Sequence, residues 1–371
     1  MKSPAEAFRS FAASEIVPRA ESIDQTGDYP DEVIKGLGEA GFLGATISSD
    51  YGGMGMSELE FGRVSEEAGA VCSSTRGLLT VQGMVGHALE RWGTPDQKKT
   101  WLPRLATGET IAAFCLTEEQ AGSDARSVGA SVDRHDHEVE VTGKKLWITF
   151  GQIAGLFLVI GQHDGHPTAV LVERDRPGSR TVPVTGQLGM RGAMLAELHL
   201  ENCRLPVANL VGKPGFGFTH VAGAALDHGR HSVAWGCVGT ARACLEASVG
   251  HATTRQQYGA PLADHQLIRR KLTEMFTGVK AARLLCESAA RLRDSKDPGA
   301  LSETMTAKYF ASRMLAEVAT EAVQVQGAAG IKGGSGVERF YRDAKVMQII
   351  EGTDEMLQLT IADFAIRQQA T

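Results

Sequence analysis

The chain has 371 residues, 43% of them hydrophobic and 22% charged, with a formal net charge of −6. That length can bury a large core in two or three domains, and the mild acidity, with no long run of one sign, excludes a basic nucleic-acid footprint and a polybasic membrane patch. The six cysteines (Cys72, Cys115, Cys203, Cys237, Cys244 and Cys286) are scattered without a CxxC pair, which points away from a zinc site or a disulfide framework and toward a reduced, cytoplasmic setting.

The N-terminus, MKSPAEAFRSFAASEIVPRA, is polar and helical in pattern. It has no apolar core of a secretory signal, and no later segment is apolar enough to span a bilayer. DEVIKGLGEAGFLGA, ELEFGRVSEEAGAV and QGMVGHALERWG space their apolar residues at three and four, as amphipathic helices do. Residues 1–112 are therefore expected to form a helical domain. The period then shortens. ASVDRHDHEVEVTG, KLWITF, LFLVIGQ, TAVLVER, TVPVT and AELHLEN are short β-like runs separated by Gly, Asp, Asn and Pro, and residues 113–220 are expected to form a compact antiparallel sheet domain. Over 221–371 the helical period returns in long stretches that fit an antiparallel four-helix bundle. The fold class is α+β, in the order helices, sheet, helical bundle.

This order and a set of local strings resemble the acyl-CoA dehydrogenase family over nearly the whole chain. DYGGMGM and HALERWGTPDQKKTWLPRLATGE are similar to its N-terminal segments. FCLTEEQAGSD resembles a flavin-contacting string usually written with TEPxAGSD, and KLWITF resembles K-x-W-I-T-N. GMRGA, LENCRLP, TTRQQYGAPLADHQLI, VQVQGAAG and RDAKVMQIIEGTDEM follow in family order. One string alone is weak; the ordered set is specific. The resemblance implies an oxidoreductase with one non-covalent FAD, an acyl thioester substrate on CoA or on acyl carrier protein, an electron acceptor such as an electron-transfer flavoprotein, and a homodimer or homotetramer.

Such an enzyme removes the proton next to a thioester carbonyl with a base and passes a hydride from the next carbon to flavin N5. The candidate base is Glu351, which the resemblance places in the family's EGT motif. Its sequence setting suits the role. It follows the apolar run VMQII, with Gly352 to stop one helix and Thr353 to cap the next, and Asp354 and Glu355 sit where a helix dipole favours them. A carboxyl held at such a corner behind apolar residues is desolvated and its pKa raised. Without the resemblance, a solvated glutamate at a helix end is the better reading. Some family members place the base at the position matching Gly229, in LDHGRHS, and a glycine cannot serve. His228 and His231 read as surface or core histidines beside the expected pocket.

By resemblance, Phe114, Leu116 and Thr117 contact the isoalloxazine, Gly122 and Ser123 approach the pyrophosphate, and Trp147 and Thr149 flank the ring. Arg255, Gln266, Gln324 and Gly327 bind the adenine-dinucleotide half, partly from a neighbouring subunit. Thr353 belongs to the cofactor set, and Arg230 and Gly352 to the substrate. For Trp147 and Thr149 the plain alternative is an ordinary strand pair; for Arg255 it is a solvated helix end. No strand–turn–helix GxGxxG is present, so a Rossmann flavoprotein is not indicated.

Five positions depart from the family strings: Phe150 for Asn, Ala193 for Ser or Thr, Ala328 for the second Gly of Q-x-x-G-G, Ile350 for an aromatic, and Asp363 for an Arg. Loss of that arginine and gain of an aspartate disfavour a polyanionic nucleotide. LDHGRHSVAWGCVG also resembles a branch from polyketide pathways. That branch oxidises small hydroxyacyl groups on acyl carrier protein toward hydroxymalonyl or methoxymalonyl extender units. Competing readings are a same-fold flavin oxidase or monooxygenase, against which Glu351 argues, and a flavin-free binding module, against which the flavin strings argue.

Overall fold

The structure, a computed structural model, describes residues 2–369. The first helices are α1 (Pro4–Glu15), α2 (Ala20–Thr26), α3 (Asp31–Glu39), α4 (Glu58–Val71), α5 (Ser73–Trp92) and α6 (Pro95–Thr107). Three of them open on capping boxes. Ser3, Ser57 and Thr94 each accept from the backbone three residues on, while Glu6, Glu60 and Gln97 reach back to the cap's own N–H, so two otherwise orphaned donors are satisfied at each start.

The strands are β1 (Ala112–Cys115), β2 (Ser131–His135), β3 (Glu138–Ile148), β4 (Leu156–His163), β5 (His166–Glu173), β6 (Ser179–Pro183), β7 (Ala196–Pro206) and β8 (Leu210–Val211). They form one sheet in the order β6-β7-β3-β2-β4-β5-β8, with β1 against β4. The sheet is mostly antiparallel, as expected, but β1 runs parallel to β4, from Ala112 opposite Leu156 to Cys115 opposite Val159. A parallel pair needs a long crossover, and the β2–β3 hairpin lies within it. β4 shows why alternation is faint there. Leu156, Leu158 and Ile160 join the core shared with the N-terminal helices, whereas Phe157 and Val159 join the core on the sheet's other face. A strand buried on both faces reads as a continuous apolar run.

After a π-helical turn at Gly217–Ala222, α7 (Gly223–Thr254) runs through the centre of the molecule. A small two-stranded turn, β9 (Gln256–Gln257) and β10 (Ala260–Pro261), leads to α8 (Gln266–Asp294), α9 (Ala300–Gln326), α10 (Val337–Met347) and α11 (Asp354–Gln369). Residues 231–241 of α7 are buried throughout, which a helix tolerates only between other helices. Its approach to α4 is close. A side-chain carbon at Gly239 would stand 1.8 Å from the Glu66 carbonyl oxygen. α7 therefore carries one face of the site in a rigid frame.

Candidate active site

Glu351 occupies the corner between α10 and α11. It has φ 57° and Gly352 has φ 95°, so two successive residues are left-handed, a conformation a non-glycine residue adopts only when its surroundings enforce it. The surroundings are visible. The Asp354 N–H donates across the corner to the Gln348 carbonyl at 3.0 Å. Thr353 Oγ1 accepts from the Met356 N–H at 3.3 Å, capping α11. Arg230 Nε donates to the Glu351 carbonyl at 3.0 Å, and Lys308 Nζ donates to the Gly352 carbonyl at 2.9 Å. Lys308 is itself fully buried, 3.7 Å from Asp354, which Ser312 also holds, at 2.8 Å.

The Glu351 side chain lies over Gly229 of α7. A carbon added at Gly229 would be 2.6 Å from both Cδ and Oε2 of Glu351, so the glycine makes the room that the carboxyl fills. Oε2 is shut off from solvent and has no hydrogen-bond partner among the described residues. Burial pushes the Glu351 pKa up from 4.5 to about 7, against the opposing pull of Arg230, Arg76 and Lys308. A carboxylate near neutrality, poorly solvated and rigidly held, can accept a proton from a weak carbon acid.

A second group forms at the bulged end of β3. The register against β7 shifts between Lys145 and Ile148, and such a bulge re-aims side chains. Trp147, at φ 59°, turns outward and is 58% exposed. The Leu146 N–H donates to the Thr117 carbonyl at 2.9 Å, and Lys145 Nζ donates to the Leu116 carbonyl at 3.1 Å. Lys145 also meets Glu118 at 2.5 Å in a buried pair, and Glu118 accepts from the Gly129 and Ala130 N–H groups. Burial raises the Glu118 pKa, but these donors outweigh it and hold the carboxyl below its usual range. The structure thus ties Leu116 and Thr117 to Lys145 and Leu146, next to Trp147 in the chain, with Phe114 half-buried on β1 and Thr149 facing Gly77 of α5. Gly122 and Ser123 are exposed, and a side-chain carbon at Gly122 would meet nothing within 4 Å. An exposed indole and an open glycine turn are features that could hold a planar ring system and an attached pyrophosphate.

Arg255, Gln266, Gln324 and Gly327 are exposed at the other end of the bundle. They cap α7, open α8 and close α9, which runs antiparallel to α8, as the Lys271–Glu321 ion pair shows. At 1.5 Å per residue, Arg255 is roughly 40 Å along α7 from Gly229. One chain does not bring this set to Glu351.

Of the departures, Phe150 is fully buried and meets Tyr29 edge-on, and its N–H donates to the Ala193 carbonyl at 2.8 Å. Ile350 packs on the C-terminal core, while Ala328 and Asp363 are exposed. His228 and His231 are core histidines. His228 stacks between Phe61 and His87, and His231 Nε2 lies 2.9 Å from the Glu58 carbonyl. Burial pushes both pKa values down. Sequence reasoning missed Lys308 and Arg76. Lys308 lies on the buried stripe Thr304, Lys308, Ala311, Leu315 of α9, and a lysine on an apolar stripe is a usable signal. Arg76, 1% exposed on α5, follows a polar Ser–Ser–Thr run that masks it.

Residues 2–109, 113–203 and 215–366 match, in turn, the N-terminal, middle and C-terminal domains of acyl-CoA dehydrogenase. The chain belongs to the acyl-CoA dehydrogenase family. A relative described as probable acyl-CoA dehydrogenase YngJ, from Bacillus subtilis, is 38% identical, with 96% of this chain and 95% of that protein covered. Among solved structures, FkbI, described for biosynthesis of the methoxymalonyl extender unit of the Fk520 polyketide, is 36% identical, with 99% of both chains covered and a TM-score of 0.90. A chain solved in work on the electron transferring flavoprotein of Acidaminococcus fermentans and its flavin-based electron bifurcation is 32% identical, covers 98% and 97%, and has a TM-score of 0.95. As an acyl-CoA dehydrogenase family member the protein is an oxidoreductase, and the redox group of such enzymes is a flavin. No described helix is long and apolar enough to cross a membrane.

Proposed function

We propose that the protein is an FAD-dependent dehydrogenase of a small acyl thioester, with Glu351 as the base. The observation that carries this is the Glu351 carboxyl, held at a left-handed corner over Gly229 with a pKa raised to about 7. When bound, the flavin supplies a hydride acceptor at N5. The chain's own residues do the rest. Glu351 takes the proton from the carbon next to the thioester carbonyl, and two electrons leave with the hydride from the following carbon, so an α,β double bond forms. Arg230 and Lys308 hold the corner, with Arg230 and Gly352 on the substrate side. Phe114, Leu116, Thr117, Trp147 and Thr149 contact the ring, Gly122 and Ser123 border the pyrophosphate, and Thr353 completes the cofactor set.

Arg255, Gln266, Gln324 and Gly327 lie too far along the bundle to serve the same chain's site, which supports a homodimer or homotetramer in which a neighbour supplies them. Exposed Leu267, Phe276 and Leu284 on α8 add apolar surface of the kind an interface covers. An electron-transfer flavoprotein is the acceptor that fits this reading.

The likeness to FkbI favours a second reading of the substrate, a hydroxyacyl group on acyl carrier protein oxidised toward a hydroxymalonyl or methoxymalonyl unit. The exposed Asp363 in place of an arginine is compatible with a carrier that lacks the adenosine phosphates. The test is anaerobic addition of acyl thioesters, on CoA and on carrier protein, to the flavin-loaded enzyme. Bleaching of the flavin by thioester supports the dehydrogenase. Turnover that needs oxygen and proceeds equally well in Glu351→Gln would instead support an oxidase or monooxygenase.

A further inference from the structure

The buried ion pair of Lys145 and Glu118 fastens more than two side chains. Lys145 is 0% exposed and Glu118 5%. A pair so withdrawn from water gains little net stability over apolar residues of the same volume, so stability alone does not account for it. Its hydrogen bonds show what else it does. Glu118 Oε1 accepts from Lys145 Nζ at 2.5 Å and from the Ala130 N–H at 3.0 Å. Oε2 accepts from the Gly129 N–H at 2.6 Å and from Gln120 Nε2 at 2.7 Å. The backbones of Glu118 and Ala121 also bond to each other, N–H to carbonyl in both directions, at 3.0 and 3.3 Å.

The carboxylate therefore closes the neck of the loop 119–128. Ala121 and Val128 anchor the two ends of that loop in the core shared with the N-terminal helices, while Gly122, Ser123, Asp124, Arg126 and Ser127 between them stay exposed. A loop with its ends joined and its tip open to solvent has the form of a binding loop on a rigid base. The lysine reaches the other way. Lys145 Nζ donates to the Leu116 carbonyl at 3.1 Å, and the next N–H along β3, that of Leu146, donates to the Thr117 carbonyl at 2.9 Å. One ion pair thus joins three segments: Leu116–Thr117, the neck of the loop bearing Gly122 and Ser123, and the end of β3 ahead of Trp147.

We propose that Lys145 and Glu118 are positioning residues for FAD, closing the pyrophosphate loop and holding the ring segment against β3, so that both parts of the site stand formed before the cofactor arrives. Both charged groups are enclosed, so they act through the backbone they hold and not by contact. A site formed in advance loses less binding free energy to ordering its loop. The assignment rests on reading this region as the flavin site.

The test separates positioning from plain stability. Lys145→Met alone leaves a buried carboxylate unpaired and is expected to lower the unfolding midpoint. Lys145→Met combined with Glu118→Gln removes both charges, keeps an acceptor for the neck amides and is expected to recover the fold. Flavin-loaded wild type and this double variant are compared by their FAD dissociation constants and by the visible circular dichroism of the bound flavin, which reports how the ring is held. The double variant is expected to show a dissociation constant at least about tenfold higher, the equivalent of one lost charged hydrogen bond, with changed dichroism. A folded double variant with an unchanged dissociation constant or unchanged dichroism overturns the assignment, since the pair then only stabilises the fold. Should the double variant fail to fold, amide hydrogen exchange in the wild type decides. Gly129 and Ala130 are expected to be equally protected with FAD bound and after its removal, because Glu118 holds them unaided. Protection that vanishes with the FAD would mean that the cofactor closes the loop, and overturns the assignment. A wild type that folds but binds no FAD defeats the flavin reading itself, a result distinct from a tightly held FAD that is indifferent to the pair.

Discussion

At the scale of single residues, the Glu351 carboxyl lies over Gly229 of α7 with no hydrogen-bond partner for Oε2 among the described residues. The EGT string, the apolar run before it and the glycine after it mark Glu351 as the candidate base in the sequence, as does the absence of a carboxylate at Gly229. That the two positions touch was not legible in the strings, because a contact across 122 residues has no local pattern. That contact makes a prediction. Gly229→Ala inserts a carbon 2.6 Å from Oε2, so the carboxyl must move, and substrate-driven flavin reduction falls by at least about tenfold while flavin content is kept, since a displacement of about 1 Å is costly to catalysis. Reduction at the wild-type rate would show that the carboxyl need not sit there. The raised pKa sets the pH dependence. Glu351 is a working base only when ionised, so the reduction rate rises with pH and levels off above about 7. Linkage runs the other way. A carboxyl whose folded pKa is raised keeps its proton where the unfolded chain has lost it, so its contribution to stability falls from pH 4.5 to about 7. Glu351→Gln should therefore be more stable than wild type above pH 7, by on the order of 1–3 kcal/mol, seen as a higher unfolding midpoint; an unchanged midpoint would place the carboxyl in better-solvated surroundings.

At the scale of elements, periodicity revealed what packing makes regular. The helices with one apolar face and the strands with one polar face stood out. β1 beside β4 did not, since strand direction follows from the route of the intervening chain, and neither did the π-helical turn before α7, where Gly217 packs against the Thr168 backbone of β5. The corner between α10 and α11 was legible as a stop and a cap, but its fastening by Arg230 and Lys308 was not. Lys308 donates to the Gly352 carbonyl and lowers the Glu351 pKa. In Lys308→Met both effects are lost. The pH at which flavin reduction levels off should move upward and the maximum rate should fall. A lower rate on an unmoved pH profile would mean that the lysine fixes the corner without acting on the charge of the base.

At the scale of the molecule, the sequence pattern carried the α+β class and its order, because each part keeps one period over many residues. The resemblance implied that Arg255, Gln266, Gln324 and Gly327 act partly across a subunit boundary, and the length of α7, which separates Arg255 from Gly229 and Glu351, is compatible with that. Light scattering of the flavin-loaded protein should give a dimer or a tetramer, and Arg255→Ala should release FAD more readily without lowering the folded fraction; a flavin-retaining monomer would contradict this assembly. The central claim is that Glu351 moves the α-proton of an acyl thioester. It is tested most directly by incubating flavin-loaded wild type and Glu351→Gln with an acyl thioester in D2O, without electron acceptor, and measuring deuterium incorporation at the α-carbon. Wild type should exchange that hydrogen, and Glu351→Gln should do so at least about a hundredfold more slowly with its flavin intact; equal exchange in the two proteins would place the base elsewhere.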